Sequence, residues 1–218
     1  MERYKVILFD LDGTLSDPKV GITKSVQYAL HTIGIEELDT EKLTCFIGPP
    51  LQDSFTEFYH LDEDRRQKAI EFYRERFKEI GMYENEIYTD IPLLLNSLKN
   101  QGMILVVATS KPTIFAEQIL KYFKIEHHFD MIVGSNLDGT RSSKTEIIRY
   151  ILDQYKDYHP SDFVMIGDKM HDIIGAINNG IASIGVTYGY GSYEELSLSK
   201  ADYIVESVID LKVLLQGE

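Results

Sequence analysis

The chain is organised around one stretch near its start, Lys5-Val6-Ile7-Leu8-Phe9-Asp10-Leu11-Asp12-Gly13-Thr14. The apolar run before the first aspartate is short and bounded by a turn signal, which predicts a buried β-strand. Alternate residues of an extended segment point to the same side, so we expect Asp10 and Asp12 to project into one crevice where the strand ends. Gly13 lets the backbone turn tightly and approach a ligand closely.

Two carboxylates this close repel each other unless a cation or a shared proton offsets their charge. Mg²⁺ suits the position, because it binds one or two carboxylates together with water and phosphate oxygens. A Ca²⁺ loop of the EF-hand type fits poorly, since it needs an oxygen ligand at position 14 before its glycine, and here the glycine is residue 13. If this stretch is considered alone, a solvated Asp-Gly turn remains an alternative interpretation.

The composition indicates a soluble globular protein. Its 218 residues suffice for one substantial core, or for one core with a smaller inserted domain. Hydrophobic residues make up 44% and charged residues 26%, which is the ordinary globular range. We expect no membrane span and no signal peptide, because no sufficiently long apolar run is present. The single cysteine, Cys45, excludes an internal disulfide, so we expect a cytoplasmic protein.

The net charge of −13 bears on the partners of the protein. Such a charge repels nucleic acid polymers and anionic membranes, so we expect neither as a partner. A small phosphorylated metabolite remains possible as a substrate, because a bound Mg²⁺ and a few lysines can reverse the sign locally. We expect a monomer or a weak homodimer.

Residues 17–84 are predicted to form an all-helical insert, because no strand pattern interrupts them. Asp62 is a suitable N-cap for the last helix, and Gly48-Pro49-Pro50 predicts a rigid bend in the middle. The predicted helices of this insert are residues 20–33, 40–46, 51–59 and 63–80. The remaining residues, 1–16 and 85–218, are predicted to form an α/β core domain.

Strands alternate with helices after Tyr88, which predicts a doubly wound parallel sheet with helices on both faces. Together with the first strand at 6–9, the predicted strands are residues 104–108, 131–133, 163–166, 184–186 and 203–205. The predicted helices are residues 92–100, 113–123, 144–155, 171–179 and 208–215. In such sheets ligands bind beyond the carboxyl ends of the strands.

Polar residues follow several of these strand ends. Thr109 and Ser110 lie where a hydroxyl and free backbone N–H groups at a helix start would suit phosphate. Considered alone, Thr109 is better explained as an N-cap. Lys144 opens a helix, where the dipole disfavours a cation, so it has a special purpose or lies on the surface. Asp168 and Asp172 are four residues apart and share one face if the helix has begun, which again favours a cation.

Together these motifs resemble the haloacid dehalogenase superfamily of phosphohydrolases. The first motif of the superfamily matches Asp10-Leu11-Asp12-Gly13-Thr14, the second Thr109, the third Lys144, and the fourth Gly167-Asp168 through Asp172. The helical insert looks like the cap domain of that family, so the resemblance covers the whole chain.

Two further segments look like the phosphoglycolate phosphatase and bacterial 5′-nucleotidase branch, namely Phe46-Ile47-Gly48-Pro49-Pro50-Leu51 and Tyr188-Gly189-Tyr190-Gly191. The third motif departs from many relatives, which have proline after the lysine, whereas Thr145 follows Lys144 here.

The resemblance implies a phosphoaspartyl mechanism. Asp10 would be the nucleophile, and Asp12 would protonate the leaving oxygen and then activate the hydrolytic water. Mg²⁺ would be held by Asp10, the Asp12 backbone carbonyl and Asp168, with Asp172 orienting the metal shell. Thr109 and Lys144 would complete the catalytic set. The residues implied to bind phosphate are Gly13, Thr109, Ser110 and Lys144.

Three alternatives share parts of this pattern. A sugar phosphomutase would return the phosphoryl group to a substrate, and a dehalogenase would not need the carboxylate of Asp12. A non-catalytic phosphate or metal sensor could retain the same pocket. A receiver domain also uses a phosphoacceptor aspartate with Mg²⁺, but receiver domains lack a helical insert of this size. The implied substrate is phosphoglycolate or a nucleoside 5′-monophosphate. In the insert, Lys19, Lys24 and Gln52 are candidates for selecting it.

Overall fold

The structure is a computed structural model that describes residues 4–217. In this part of the chain the strands are β1 (Val6–Phe9), β2 (Ser16–Asp17), β3 (Glu86–Ile87), β4 (Ile104–Pro112), β5 (Met131–Ser135), β6 (Phe163–Gly167), β7 (Ala182–Val186) and β8 (Tyr203–Val205). The α-helices are α1 (Lys19–Thr32), α2 (Leu51–Tyr59), α3 (Glu63–Glu79), α4 (Ile91–Asn100), α5 (Thr113–Tyr122), α6 (Lys144–Gln154), α7 (Met170–Asn178), α8 (Tyr193–Leu198) and α9 (Val208–Gln216).

Six strands form one parallel sheet in the order β5-β4-β1-β6-β7-β8. The first strand in the chain lies inside the sheet, with Leu8 opposite Val106 on one side and Met165 on the other. All four residues of β1 are buried, as expected for a strand with neighbours on both edges and helices over the sheet. The predicted parallel α/β architecture is confirmed.

The core beside β1 is aliphatic. Leu8, Val106 and Met165 belong to one cluster with Ile147 and Ile151 of α6, and all five are fully buried. Each such side chain contributes about 1.5–3 kcal/mol through removal of apolar surface from water. This packing holds β1, β4 and β6 beside α6, and those elements carry the motif residues.

The chain divides into two compact units, Met1–Ser16 with Ile87–Glu218, and Asp17–Glu86. The second unit contains α1, α2 and α3, and Asp62 caps α3 by accepting a hydrogen bond from the Arg65 N–H at 2.9 Å. Residues Thr40–Phe46, predicted as a helix, form a 3₁₀-helix.

The sequence pattern did not predict β2, β3 and α8. The first two are two-residue strands that pair with each other, and two residues are too few to show a hydrophobic period. The six residues of α8 are also too short for a reliable helical stripe. Among residues 4–217, no helix is both long enough and apolar enough to cross a membrane.

Candidate active site

The carboxylates that follow β1 and β6 lie at the same edge of the sheet. The two strands are neighbours, and Phe9 at the end of β1 is opposite Ile166. Asp10 therefore comes directly after one strand and Asp168 directly after the other. Because parallel neighbours end at one edge, the residues that follow them are brought together.

Three buried aspartates form a cluster at this edge. Asp10, Asp168 and Asp172 each offer one carboxylate oxygen, and these oxygens lie within 4.8 Å of one another. The three residues are at most 2% exposed. Within residues 4–217 this is the one group of three or more acidic, histidine or cysteine side chains arranged to hold a metal ion.

Asp168 and Asp172 would share a helix face only if the helix had begun at Asp168, and this condition is not met, because α7 begins at Met170. Asp168 lies in the turn after β6, and Asp172 lies in the first turn of the helix. The Asp172 Oδ2 accepts a hydrogen bond from the Lys169 N–H at 3.1 Å, which holds its carboxylate at the helix start. The two groups meet because strand end and helix start are adjacent.

Lys144 is the cation of the cluster. Its Nζ lies 2.7 Å from an Asp10 oxygen and 2.6 Å from an Asp172 oxygen, and it donates to the Ala108 carbonyl at 2.8 Å. Burial lowers the pKa of this ammonium, but the Asp10 and Asp172 carboxylates more than offset the effect, so the net pKa is raised. Lys144 is therefore charged, and in this structure it joins two carboxylates.

The negative charges of Asp168 and Asp172 are not fully balanced by nearby cations. Burial raises the pKa of Asp168 well above its usual value, and repulsion from Asp172 and Asp10 adds to this. Burial also raises the pKa of Asp172, against the opposing effect of Lys144. The Asp168 Oδ1 is buried and accepts no hydrogen bond from the described residues. A buried carboxylate oxygen without a donor suits coordination of a cation.

Asp12 has its own lysine, to which the sequence analysis assigned no role. The Lys111 Nζ lies 2.8 Å from the Asp12 Oδ2. Burial raises the pKa of the Asp12 carboxyl, and Lys111 opposes that effect. The net pKa is raised, with smaller effects from Asp10 and Lys144, so Asp12 has an ion-pair partner of its own but still senses the neighbouring cluster. In the sequence, this role was indicated only by the position of Lys111, two residues after Thr109 in the polar segment that ends the strand.

Thr109 and Ser110 were predicted to lie at a helix start, but the structure places them elsewhere. Both belong to β4, and α5 begins at Thr113, so Thr109 is not its N-cap. Thr109 is buried, and its Oγ1 accepts a hydrogen bond from the Lys111 N–H at 3.3 Å. The Ser110 carbonyl accepts a hydrogen bond from the Ser135 hydroxyl at 2.8 Å. The strand end, not a helix N-terminus, offers polar groups here.

The turn at Gly13 and the loop of residues 188–191 enclose Asp168. Gly13 has φ +80°, and a side chain there would overlap the Asp168 carboxylate. The Tyr190 N–H donates to the Asp168 Oδ2 at 2.7 Å, and the Tyr188 hydroxyl donates to the Thr14 carbonyl at 3.1 Å. Gly13, predicted to bind phosphate, therefore also makes room for Asp168.

The substrate-selecting candidates belong to the unit Asp17–Glu86. Lys19 pairs with Glu41 at 2.8 Å, and Lys24 pairs with Glu84 at 3.2 Å. Gln52 is exposed. Both lysines therefore have acidic partners within their own unit.

Comparisons with known proteins agree with the motifs. The family described as haloacid dehalogenase-like hydrolase matches residues 7–186. A 5′-nucleotidase of Pseudomonas aeruginosa is 48% identical over 99% of this chain and 97% of that protein. A phosphoglycolate phosphatase of Vibrio parahaemolyticus is 28% identical over 96% of this chain and 95% of that protein.

Comparison with solved structures also finds similarity to a phosphatase. A crystal structure described as a predicted phosphatase from Clostridium acetobutylicum superposes with a TM-score of 0.95 and is 51% identical, covering 99% of both chains. The resemblance inferred from the motifs is confirmed. The chain is an enzyme of the haloacid dehalogenase-like hydrolase family.

Proposed function

We propose that the chain is a Mg²⁺-dependent phosphomonoester hydrolase that forms a phosphoaspartyl intermediate on Asp10. The observation that carries this proposal is the buried cluster of Asp10, Asp168 and Asp172 at the carboxyl end of β1, in which Asp10 and Asp172 contact Lys144. Buried carboxylates that are held together at a strand end and lack full charge compensation suit metal-assisted phosphoryl transfer.

The donor set fits Mg²⁺. Three ionised carboxylates and one ammonium carry a formal charge of −3 + 1 = −2, which one divalent cation neutralises. All the ligand atoms are oxygens, which magnesium prefers. The Asp168 Oδ1 accepts no hydrogen bond from the described residues. Asp10, Asp168 and Asp172 would hold the ion, with the Asp12 carbonyl implied by the family resemblance. When bound, it would shield the nucleophile from the negative charge of the phosphate.

The chemistry takes two displacements. An Asp10 carboxylate oxygen bonds to phosphorus while the ester P–O bond breaks, and its electron pair goes to the leaving oxygen, which takes a proton from Asp12. Water then attacks the phosphorus and gives a proton to Asp12, the bond to Asp10 breaks, and inorganic phosphate leaves. The raised pKa of Asp12 favours the protonated acid that the first displacement needs.

Four groups are proposed to hold the phosphoryl oxygens: Gly13, Thr109, Ser110 and Lys144. Lys144 supplies the positive charge, since it is fully buried and already faces Asp10. Thr109 is buried at the neighbouring strand end and supplies a hydroxyl. The Ser110 backbone N–H would add a neutral donor. The Gly13 N–H already donates to the Ser16 carbonyl at 2.8 Å, so Gly13 would act by letting the phosphate approach the backbone closely.

A nucleoside 5′-monophosphate is the proposed substrate, with phosphoglycolate second. The ranking rests on the 48% identity to a 5′-nucleotidase against 28% identity to a phosphoglycolate phosphatase. The helical unit Asp17–Glu86 is proposed to act as the cap that selects the leaving group. A sugar phosphomutase is not favoured, because these relatives are hydrolases. The cytoplasmic location and the monomer or weak homodimer stay predictions.

The test is phosphate release from a panel of phosphomonoesters that contains nucleoside 5′-monophosphates, phosphoglycolate and p-nitrophenyl phosphate. We expect turnover of the aryl ester and a higher kcat/KM for a nucleoside monophosphate than for phosphoglycolate. Absence of phosphate release from every ester would overturn the proposed function. A preference for phosphoglycolate would reverse only the ranking of substrates.

Metal removal should abolish turnover. We expect no phosphate release in excess chelator, full recovery with excess Mg²⁺, and inhibition by Ca²⁺. The reason is that Ca²⁺ takes more ligands and can bind both Asp10 oxygens, which turns the nucleophile away from phosphorus. Undiminished activity in excess chelator would contradict the metal assignment.

Gly189→Ala should weaken the metal site. An alanine side chain there would overlap the Gly13 carbonyl oxygen and the Asp168 side chain, so the loop that donates to Asp168 must shift. We expect Mg²⁺ affinity, measured by calorimetric titration, to fall by about 10–100-fold, the usual effect of losing a group that orients a metal ligand.

The matched control is Gly180→Ala. Unlike Gly189, Gly180 has a positive φ of +67°, and a side chain there meets no atom within 4 Å. This control makes the same substitution and places an alanine at a positive φ, but it does not touch Asp168, so its Mg²⁺ affinity should match that of the parent. Equal Mg²⁺ affinity in the parent and in Gly189→Ala would contradict the positioning role of the loop.

A further inference from the structure

Lys111 reaches Asp12 because of an irregularity in the sheet. Ala108 of β4 is opposite Val133 of β5, and Pro112 is opposite Ser135, so four steps along β4 match two along β5. The extra residues form a bulge that contains Thr109, Ser110 and Lys111. Bulges of this kind redirect a side chain at the end of a strand.

The pair that results is almost enclosed. The Lys111 Nζ lies 2.8 Å from the Asp12 Oδ2, and the two side chains are only 6% and 9% exposed. The other oxygen of this carboxylate, Oδ1, is buried and accepts no hydrogen bond from any residue in the range 4–217. One oxygen of Asp12 is therefore held, and the other is left for a reacting group.

This pair is distinct from the lysine–aspartate contacts in the cluster of Asp10, Asp168 and Asp172. Lys144 is occupied by Asp10, Asp172 and the Ala108 carbonyl. Lys111 contacts the second aspartate of the motif instead. Burial of an ion pair is costly unless its geometry is good, so a salt bridge in this position differs from the exposed pairs on the surface.

We propose that Lys111 is a positioning residue for proton transfer by Asp12. It holds Oδ2 so that Oδ1 exchanges the proton, and this proposal rests on the acid–base role of Asp12 in the proposed function. As the ester P–O bond breaks, its electron pair stays on the leaving oxygen, which takes the proton from Oδ1. The carboxylate left behind faces the Lys111 ammonium, which keeps its own protons. Oδ1 then takes a proton from the attacking water.

The test is the dependence of the rate on the leaving group. An alkyl phosphate such as a nucleoside 5′-monophosphate needs the proton, whereas p-nitrophenyl phosphate leaves without it. For Lys111→Met we expect single-turnover phosphorylation by the alkyl ester to slow by about 10–100-fold, the lower part of the general acid–base scale. We expect a several-fold smaller loss with the aryl ester.

Three further variants keep the test decisive. Lys111→Arg retains a donor and should recover a large part of the rate with the alkyl ester, whatever the stability of Lys111→Met. Combining Lys111→Met with Asp12→Asn should cost no more than Asp12→Asn alone, because the positioned group is already lost. Lys156→Met removes an exposed lysine and should match the parent with both esters.

The possible outcomes distinguish failure of the proposal for Lys111 from failure of the proposed acid–base role of Asp12. Equal losses with both esters, or a raised KM with unchanged kcat, would overturn the positioning role while Asp12→Asn still shows a leaving-group dependence. If Asp12→Asn itself shows no such dependence, the acid–base role fails, and the proposal for Lys111 fails with it. A loss confined to the alkyl ester and recovered by arginine supports the proposal.

Discussion

Asp10→Asn should lose turnover by more than about 10³-fold while keeping the fold, because an amide oxygen cannot replace the carboxylate nucleophile. Asparagine has nearly the same volume, and its oxygen can still accept the 2.7 Å hydrogen bond that the Leu11 N–H donates to Asp10. Lys144 keeps Asp172 and the Ala108 carbonyl as partners. Steady-state phosphate release and thermal unfolding are the two measurements.

The matched control is Asp157→Asn, which makes the same chemical change at an exposed position. It should keep the activity of the parent. We expect the Tm of Asp10→Asn to lie within about 5 °C of the parent, the shift that roughly 1–2 kcal/mol produces in a chain of this size. Turnover within about tenfold of the parent, a difference of only 1.4 kcal/mol in the barrier, would remove Asp10 from the nucleophile role.

Asp12→Asn should separate the roles of the two motif aspartates. Loss of the acid–base group should slow turnover of an alkyl phosphate by about 10²–10⁴-fold, the usual scale for such catalysis. The first displacement should suffer less with p-nitrophenyl phosphate, because that leaving oxygen is already acidic. Hydrolysis of the intermediate still lacks its base, so a burst of nitrophenol and a trapped phosphoaspartate on Asp10 are expected in rapid-quench measurements.

Asp153→Asn, at another exposed carboxylate, is the control for this variant. Asparagine is a good turn residue, so a purely structural role for Asp12 would leave every substrate unaffected. Equal losses with alkyl and aryl esters, without trapped phosphoenzyme, would instead assign Asp12 to the integrity of the metal site.

The sheet was predictable because its inner strands are continuous apolar runs. Val6–Phe9 and Phe163–Gly167 are buried throughout, and each is bounded by a turn. The same reasoning predicted that Asp10 and Asp168 would meet, because the ends of parallel neighbours share one edge. The two-residue strands β2 and β3 carry no such pattern, so they were missed.

The partners of the lysines were not predictable. The position of Lys144 at the first turn of α6, unfavourable for a cation, is explained by three acceptors that lie far away in sequence. The pairing of Lys111 with Asp12 depends on the bulge between β4 and β5. No residue pattern announces where two strands lose register, so only the three-dimensional arrangement reveals this contact.

The position of β1 inside the sheet has a consequence for folding. Val6 pairs with Ile104 and with Phe163, so its partners follow after 98 and 157 residues (104 − 6 and 163 − 6). During synthesis the apolar strand that precedes Asp10 must wait for both partners, and closing such long loops slows folding. The waiting strand has unpaired edges and is prone to aggregate. Asp10 is the first aspartate to be synthesised, yet Lys144 and Asp168, which lie beside it in the fold, are added only after more than half of the chain.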